Sequence, residues 1–185
     1  MADRILEGFL QSQLEEGMTL AESSDLVALT PADSGLPQRY VVEFRCKGLV
    51  RVGDGDGDVI EADRFVVGVR FPSDYLRRVV PMEVLTWLSP RNVWHPNIMA
   101  PVICVGRLTP GTTLVDIIYQ VFEIITYKKA TVREDDALNS AACQWARHNM
   151  DRFPIDRRPL KRRALWLKVT DVAASASTAG KGAST

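Results

Sequence analysis

Three cysteines, Cys46, Cys104 and Cys143, are the candidate nucleophiles of this 185-residue chain. An odd, widely spaced set is no disulfide framework, and without a CxxC pair a structural zinc site is not expected. Cys46 falls on the apolar face of an alternating segment and Cys143 on the apolar face of a helical one, so both read as buried, inert thiols. Cys104 is different. It ends the run Trp94-His95-Pro96-Asn97-Ile98-Met99-Ala100-Pro101-Val102-Ile103-Cys104, which holds two prolines and follows neither a strand nor a helix period. A loop on a rigid scaffold is where reactive groups collect. His95 and Asn97 stand close by, and each can donate a hydrogen bond.

Two other clusters carry chemistry-bearing side chains. Gly53 to Asp58 reads GDGDGD, with acids at alternate positions. A calcium loop would need Gly at its sixth position and Glu at its twelfth, and Val59 and Phe65 follow instead. Its glycines open no helix, so it is no phosphate cradle, and a solvated hairpin turn is expected. Arg157, Arg158, Lys161, Arg162 and Arg163 form a basic cluster. It reads as a solvated helix face, with docking to an acidic protein as the functional alternative. Without interleaved aromatic platforms, nucleic acid ranks third.

The elements that must position Cys104 follow from periodicity. Ile5, Leu6, Phe9, Leu10 and Leu14 form one stripe of a helix over residues 3 to 16. Leu26 to Leu29 suggests a short strand, and Pro31 to Pro37 a loop. The period then drops to two. Tyr40, Val42, Phe44 and Cys46 alternate with Val41, Glu43 and Arg45, and Phe65, Val67, Val69 and Phe71 follow the same period, as more weakly do Val80, Met82, Val84, Thr86 and Leu88. These strands read as an antiparallel four-stranded meander. Leu114 to Ile125 is apolar almost all round, a buried helix that Thr113 and Asp116 could cap. Residues 137 to 149 carry another helical pattern, and 159 to 169 a last basic, amphipathic one. The expected fold is a single α+β domain over residues 1–170, with a low-complexity, disordered tail over 171–185.

Bulk composition narrows the class. Lys plus Arg is 23 and Asp plus Glu is 23, a balance without a global pull toward nucleic acid or an anionic membrane. No run of about 18 apolar residues suggests a membrane span. The charged N-terminus lacks the apolar core of a secretory signal, so a cytoplasmic protein with reduced thiols is expected.

Four motifs in order then give the chain a likeness. His95-Pro96-Asn97 followed by Ile103-Cys104 resembles the active-site segment of the ubiquitin-conjugating enzymes. Phe71-Pro72-Ser73-Asp74-Tyr75 resembles that family's Phe-Pro-x-x-Tyr. Asp135-Asp136-Ala137-Leu138-Asn139, with Ala141 and Ala142 after it, resembles its Asp-Asp-Pro-Leu-Asn segment and following helix, and Phe65 opens its strand as the family's phenylalanine does. The resemblance spans residues 40 to 150. It departs at Leu76, where the family has Pro, in a slightly short Asn97–Cys104 spacer, and at Leu108-Thr109-Pro110, which replaces a later Trp-Ser-Pro used to engage RING-type ligases. The departures make it more similar to conjugating enzymes of bacterial antiphage operons than to eukaryotic ones.

The resemblance implies a UBC-like fold and a thioester carrier. Cys104 would accept a ubiquitin-like protein from an adenylating, activating-type enzyme and pass it to an amine of a target protein. Asn97 would donate to the oxyanion or order the loop. His95 would brace the loop rather than act as a base. Asp136, with Asp135 second, would receive the amine's proton, unless both acids only cap the next helix. No cofactor or metal is implied. A non-catalytic module of the same fold and a cysteine hydrolase using Cys104 with His95 are the alternatives; the hydrolase would need a base oriented by a third group.

Overall fold

The computed structural model describes residues 3–53 and 57–161. Helix α1 (Arg4–Glu22) starts at Asp3, whose side chain accepts from the amides of Ile5 (3.1 Å) and Leu6 (3.3 Å). Its buried stripe is Leu6, Leu10, Gln13, Gly17 and Leu20. Ile5, expected on that stripe, lies one position round the helix and is 77% exposed. The helix also runs past the expected end at residue 16.

Strands β1 (Val27–Pro31), β2 (Arg39–Phe44), β5 (Phe65–Arg70) and β6 (Leu85–Ser89) form one antiparallel sheet in that spatial order. Tyr40 pairs with Val69, Val42 with Val67 and Phe44 with Phe65, so the alternating large side chains share the buried face. Between β2 and β5 the chain makes an excursion, the hairpin β3 (Gly48–Val52) and β4 (Asp58–Ala62), which is a separate two-stranded sheet. Gly53 follows β3 and Asp58 opens β4, and residues 54–56 of the expected turn lie outside the described residues. Gly53 has φ +86°, and a Cβ on Gly57 would lie 2.1 Å from the Val52 carbonyl oxygen.

Residues 80 to 88 depart from expectation. Pro81 opens a single helical turn, α2 (Pro81–Val84), and only then does β6 begin. This shifts the inward set to Leu85 and Trp87, while Met82, Thr86 and Leu88 face outward. A slip of one residue reverses the two faces of a strand.

Helix α3 (Leu114–Ile125) has the expected bounds, and its cap is reciprocal. The Thr113 hydroxyl oxygen accepts from the Asp116 amide at 3.1 Å and donates to the Asp116 carboxylate at 2.8 Å. Gln13 of α1 completes that start from outside. Its Oε1 accepts from the Leu114 amide at 2.7 Å, and its Nε2 donates to the Phe9 carbonyl at 3.3 Å. Phe9 packs on Phe71 and Tyr75, and the Tyr75 hydroxyl donates to the Thr112 carbonyl at 2.7 Å. Helix α4 (Ser140–His148) is shorter than the 137–149 pattern.

Beyond α4 the chain returns to the sheet. The carboxylate of buried Asp156 accepts from the Lys47 amide (3.3 Å) and the Arg158 guanidinium (2.6 Å). The Arg158 hydrogen bonds hold the Asp156 carboxyl down to about 2. Arg158, expected on a solvated basic face, is exposed as expected and in addition pairs with buried Asp156. Leu160 is buried in the main core. Residues 159–161 are not helical, and the rest of the expected last helix and the 171–185 tail lie outside the described residues. Cys46 and Cys143 are buried as expected, and burial pushes the Cys46 thiol up to about 12.

Because Gln13 supplies the acceptor for a buried amide, Gln13→Ala should leave the Leu114 N–H unsatisfied and cost about 2 kcal/mol. For a chain of this size that lowers Tm by about 4–8 °C. A melting curve unchanged from wild type would remove Gln13 from this role.

Candidate functional site

The run expected to be a structureless loop contains a minimal hairpin. Strands β7 (Ile98–Met99) and β8 (Val102–Ile103) pair, with Ile98 opposite Ile103 and both buried. The ladder continues one step, because the Cys104 amide donates to the Asn97 carbonyl at 2.8 Å. Three further backbone bonds hold the segment to the scaffold. Trp87 N of β6 donates to Pro101 O, Arg51 N of β3 to Asn92 O, and Trp94 N to Leu49 O, each at 2.8 Å. Cys104 emerges half-buried at the end of this frame. The buried isoleucines and these bonds fix a thiol-bearing backbone that its two prolines keep out of longer regular structure.

Asn97 stands opposite Cys104 and is held at three atoms. Its amide donates to His95 Nδ1 at 3.0 Å, its carbonyl accepts from Cys104, and its Oδ1 accepts from the Thr131 amide at 2.9 Å. With the side-chain oxygen engaged, the orientation of the carboxamide is set, and no acceptor among the described residues takes its Nδ2 hydrogens.

His95 is 1% exposed, and its ring lies edge-on to Tyr127 with centroids 4.3 Å apart. Burial pushes its pKa down to about 3, so the ring is neutral at physiological pH. Nδ1 accepts from Asn97, which puts the proton on Nε2, and that buried atom has no partner. The imidazole thus has no ring nitrogen available to take a proton from a neighbouring thiol. Its geometry is that of a brace.

The chain after α3 closes the other side. Tyr127 adopts φ +57°, and its hydroxyl donates to the Trp94 carbonyl. The Asn139 amide donates to the Pro96 carbonyl at 3.0 Å. Thr131 and Asn139 are thus two anchors on the His95-Pro96-Asn97 segment, and residues 132–138 arch between them. Asp135 and Asp136 lie on this arch in a short 3-10 turn, Glu134–Asp136. They do not cap α4. Asn139 does, its Oδ1 accepting from the Ala142 amide at 3.0 Å. Arg133 pairs with Asp135 at 2.7 Å and reaches Asp136 at 3.4 Å, and both acids are exposed. The Arg133 hydrogen bond holds the Asp135 carboxyl below its usual range.

Sequence reasoning missed Thr131, Tyr127, Arg133 and Asn139. Asn139 could have been read as a helix cap preceding an apolar run, and Arg133 as the partner of the acids beside it. Nothing local marks Thr131, because its contribution is a backbone amide.

No family model matches the sequence, and no curated protein matches it. Among solved structures, the human ubiquitin-conjugating enzyme E2 G1 is similar at 20% identity, over 63% of this chain and 90% of that one, with a TM-score of 0.42.

The buried imidazole makes stability depend on pH in a definite direction. Its pKa falls from 6.5 unfolded to about 3 folded, so the unfolded chain binds a proton that the folded chain refuses. The stabilisation is complete above pH 6.5 and is lost progressively as pH falls toward 3, at up to about 1.4 kcal/mol per pH unit. In a His148→Gln background, where His95 is the sole imidazole, urea unfolding should show this decline between pH 6.5 and 5. His95→Asn in that background should flatten it, and an equal decline in both proteins would mean that His95 is protonated in the fold.

Proposed function

We propose that this protein is a ubiquitin-conjugating-type carrier, in which Cys104 holds a ubiquitin-like protein as a thioester and delivers it to an amine. The observation that carries the reading is a half-buried Cys104 whose backbone is bonded to Asn97, an asparagine whose carboxamide oxygen is engaged by the Thr131 amide. In the loading step the Cys104 thiolate attacks the thioester carbonyl on an activating enzyme. A new carbon–sulfur bond forms, the old one breaks, and the activating enzyme's cysteine leaves as thiolate. This exchange is near-balanced in energy and needs no strong base, which suits a site whose histidine is buried and neutral.

In the transfer step a target amine attacks the same carbonyl. The carbon–nitrogen bond forms, negative charge develops on the carbonyl oxygen, and collapse expels the Cys104 thiolate. The Nδ2 hydrogens of Asn97 would donate to that oxyanion, and such a donor is effective because it needs no reorganisation when charge appears. The departing amine proton would go to Asp136, on the exposed arch that Thr131 and Asn139 hold against the loop. Arg133, 3.4 Å from its carboxylate, steadies it on that arch. His95 would position Asn97 and take no proton. The partners are a ubiquitin-like protein, an adenylating enzyme and a protein target, within one conjugating domain over residues 1–170 in the cytoplasm. Bacterial antiphage conjugation is the setting that the sequence resemblance favours. The engaged Nδ1 and buried Nε2 of His95 weigh against a cysteine hydrolase.

Incubated with its activating enzyme, ubiquitin-like protein and ATP, the chain should form an adduct that thiols cleave. Cys104→Ala should abolish it, and Cys104→Ser should give an oxygen ester stable to thiols and labile to base. Normal charging of Cys104→Ala would sink the assignment, and absence of any adduct would leave a non-catalytic binding module in its place.

Asn97→Ala should still load, yet discharge to amines about 100- to 1000-fold more slowly. Loss of loading together with lowered stability would make Asn97 purely structural. Asp136→Ala should slow transfer to lysine and spare transfer to a small thiol, which needs no proton acceptor; equal slowing of both would remove Asp136 from proton transfer.

A further inference from the structure

A groove of about 450 Å³ runs between α1 and α3, and no residue of the Cys104 loop lines it. Its α1 wall presents the exposed carboxylates Glu15 and Glu16 above Leu20, and its α3 wall presents Val115 and Tyr119. Tyr119 is 38% exposed, whereas Tyr40, Tyr75 and Tyr127, the other three tyrosines, are buried. Thr19 also lines it, and so does Lys161, the last described residue of the chain. Leu160, buried in the main core, anchors the backbone just before it. The chain is therefore delivered to the mouth of an acidic, apolar-floored groove with 24 residues still to come.

What comes next complements that lining. Arg162 and Arg163 follow Lys161 at once, and then Ala164, Leu165, Trp166 and Leu167, before Lys168 and Val169. We propose that the α1–α3 groove is the docking site for residues 162–169 of this same chain, with Arg162 and Arg163 meeting Glu15 and Glu16 and Trp166 covering Tyr119. Exposed ion pairs of this kind contribute little each. Burial of the indole and its leucine neighbours supplies most of the attraction, and the charges set the direction of approach. Five residues beyond Lys161 span up to about 17 Å when extended, enough to bring Trp166 along the groove. A tethered segment stands at an effective concentration of about millimolar, so it outcompetes a second copy of the chain at micromolar protein. The proposal is independent of the Cys104 chemistry.

The four tyrosines make a built-in probe. Nitration of the full chain by tetranitromethane, read at each tyrosine by mass spectrometry, reports the exposure of Tyr119 against three buried references. If the segment covers Tyr119 in about three molecules of four, wild type reacts about fourfold more slowly than the full-length Trp166→Asp variant, because only the open fraction reacts. The charge reversal E15K/E16K should also speed nitration, and R162E/R163E added to it should restore the slow rate. Equal rates in wild type and Trp166→Asp would overturn the proposal. So would protection that fades on dilution, which would assign the groove to a second copy, or charge-swapped proteins that stay fast.

Discussion

The hydrogen bond from the Thr131 amide to Asn97 Oδ1 is the tie on which the site depends. It joins the segment after α3 to the loop before Cys104 through a single side chain. Asn97 also receives Cys104 through its carbonyl and is itself held by His95 through its amide. Without the Thr131 bond the carboxamide could rotate, and the direction of its free N–H groups would be undefined. With it, the oxygen of the carboxamide is engaged and the two Nδ2 donors are held in a fixed direction.

That arrangement rests on a costly neighbour. His95 Nε2 and Trp94 Nε1 are both buried without partners, and an unsatisfied buried N–H costs about 1–3 kcal/mol. The rings around them offset this. Tyr127 packs on His95 and on Phe153, with centroids at 4.3 Å and 4.6 Å, and its hydroxyl binds the Trp94 carbonyl. A second, smaller cluster of Leu49, Val59, Trp94, Tyr127, Ala142 and Ala146 thereby sits behind the loop, apart from the core between the sheet, α1 and α3. The hairpin β3–β4 and helix α4 supply most of it, so these two elements support the site.

The two parts of the fold meet through backbone groups more than through side-chain pairs. Gln13 caps α3 from α1, Pro101 O accepts from β6, and Asn139 N binds Pro96 O. Each satisfies a group that an irregular connection would otherwise leave unpaired. This is why two non-repetitive segments, 94–104 with its two prolines and 131–139 with none, are held firmly against each other.

What local sequence determines and what tertiary structure decides separate along the range of the forces involved. The 3.6-residue and two-residue periods of α1, β2, β5 and α3 were legible, and so was the Thr113–Asp116 cap, because burial of one face and i,i+3 capping act over a few residues. The Cys104 loop was legible from its prolines and from the lack of any period. The inward face of β6 was not, because the α2 turn at Pro81 resets its register. Nor was the burial that keeps His95 neutral, although the resemblance implied a brace, or the place of Asp135 and Asp136, where Asn139 caps α4 instead. The first and last of these are local effects, but the surroundings of His95 and Asn97 depend on groups from far along the chain, the Tyr127 ring and the Thr131 amide. A backbone amide is the same in every residue but proline, so no residue type announces where it will be needed.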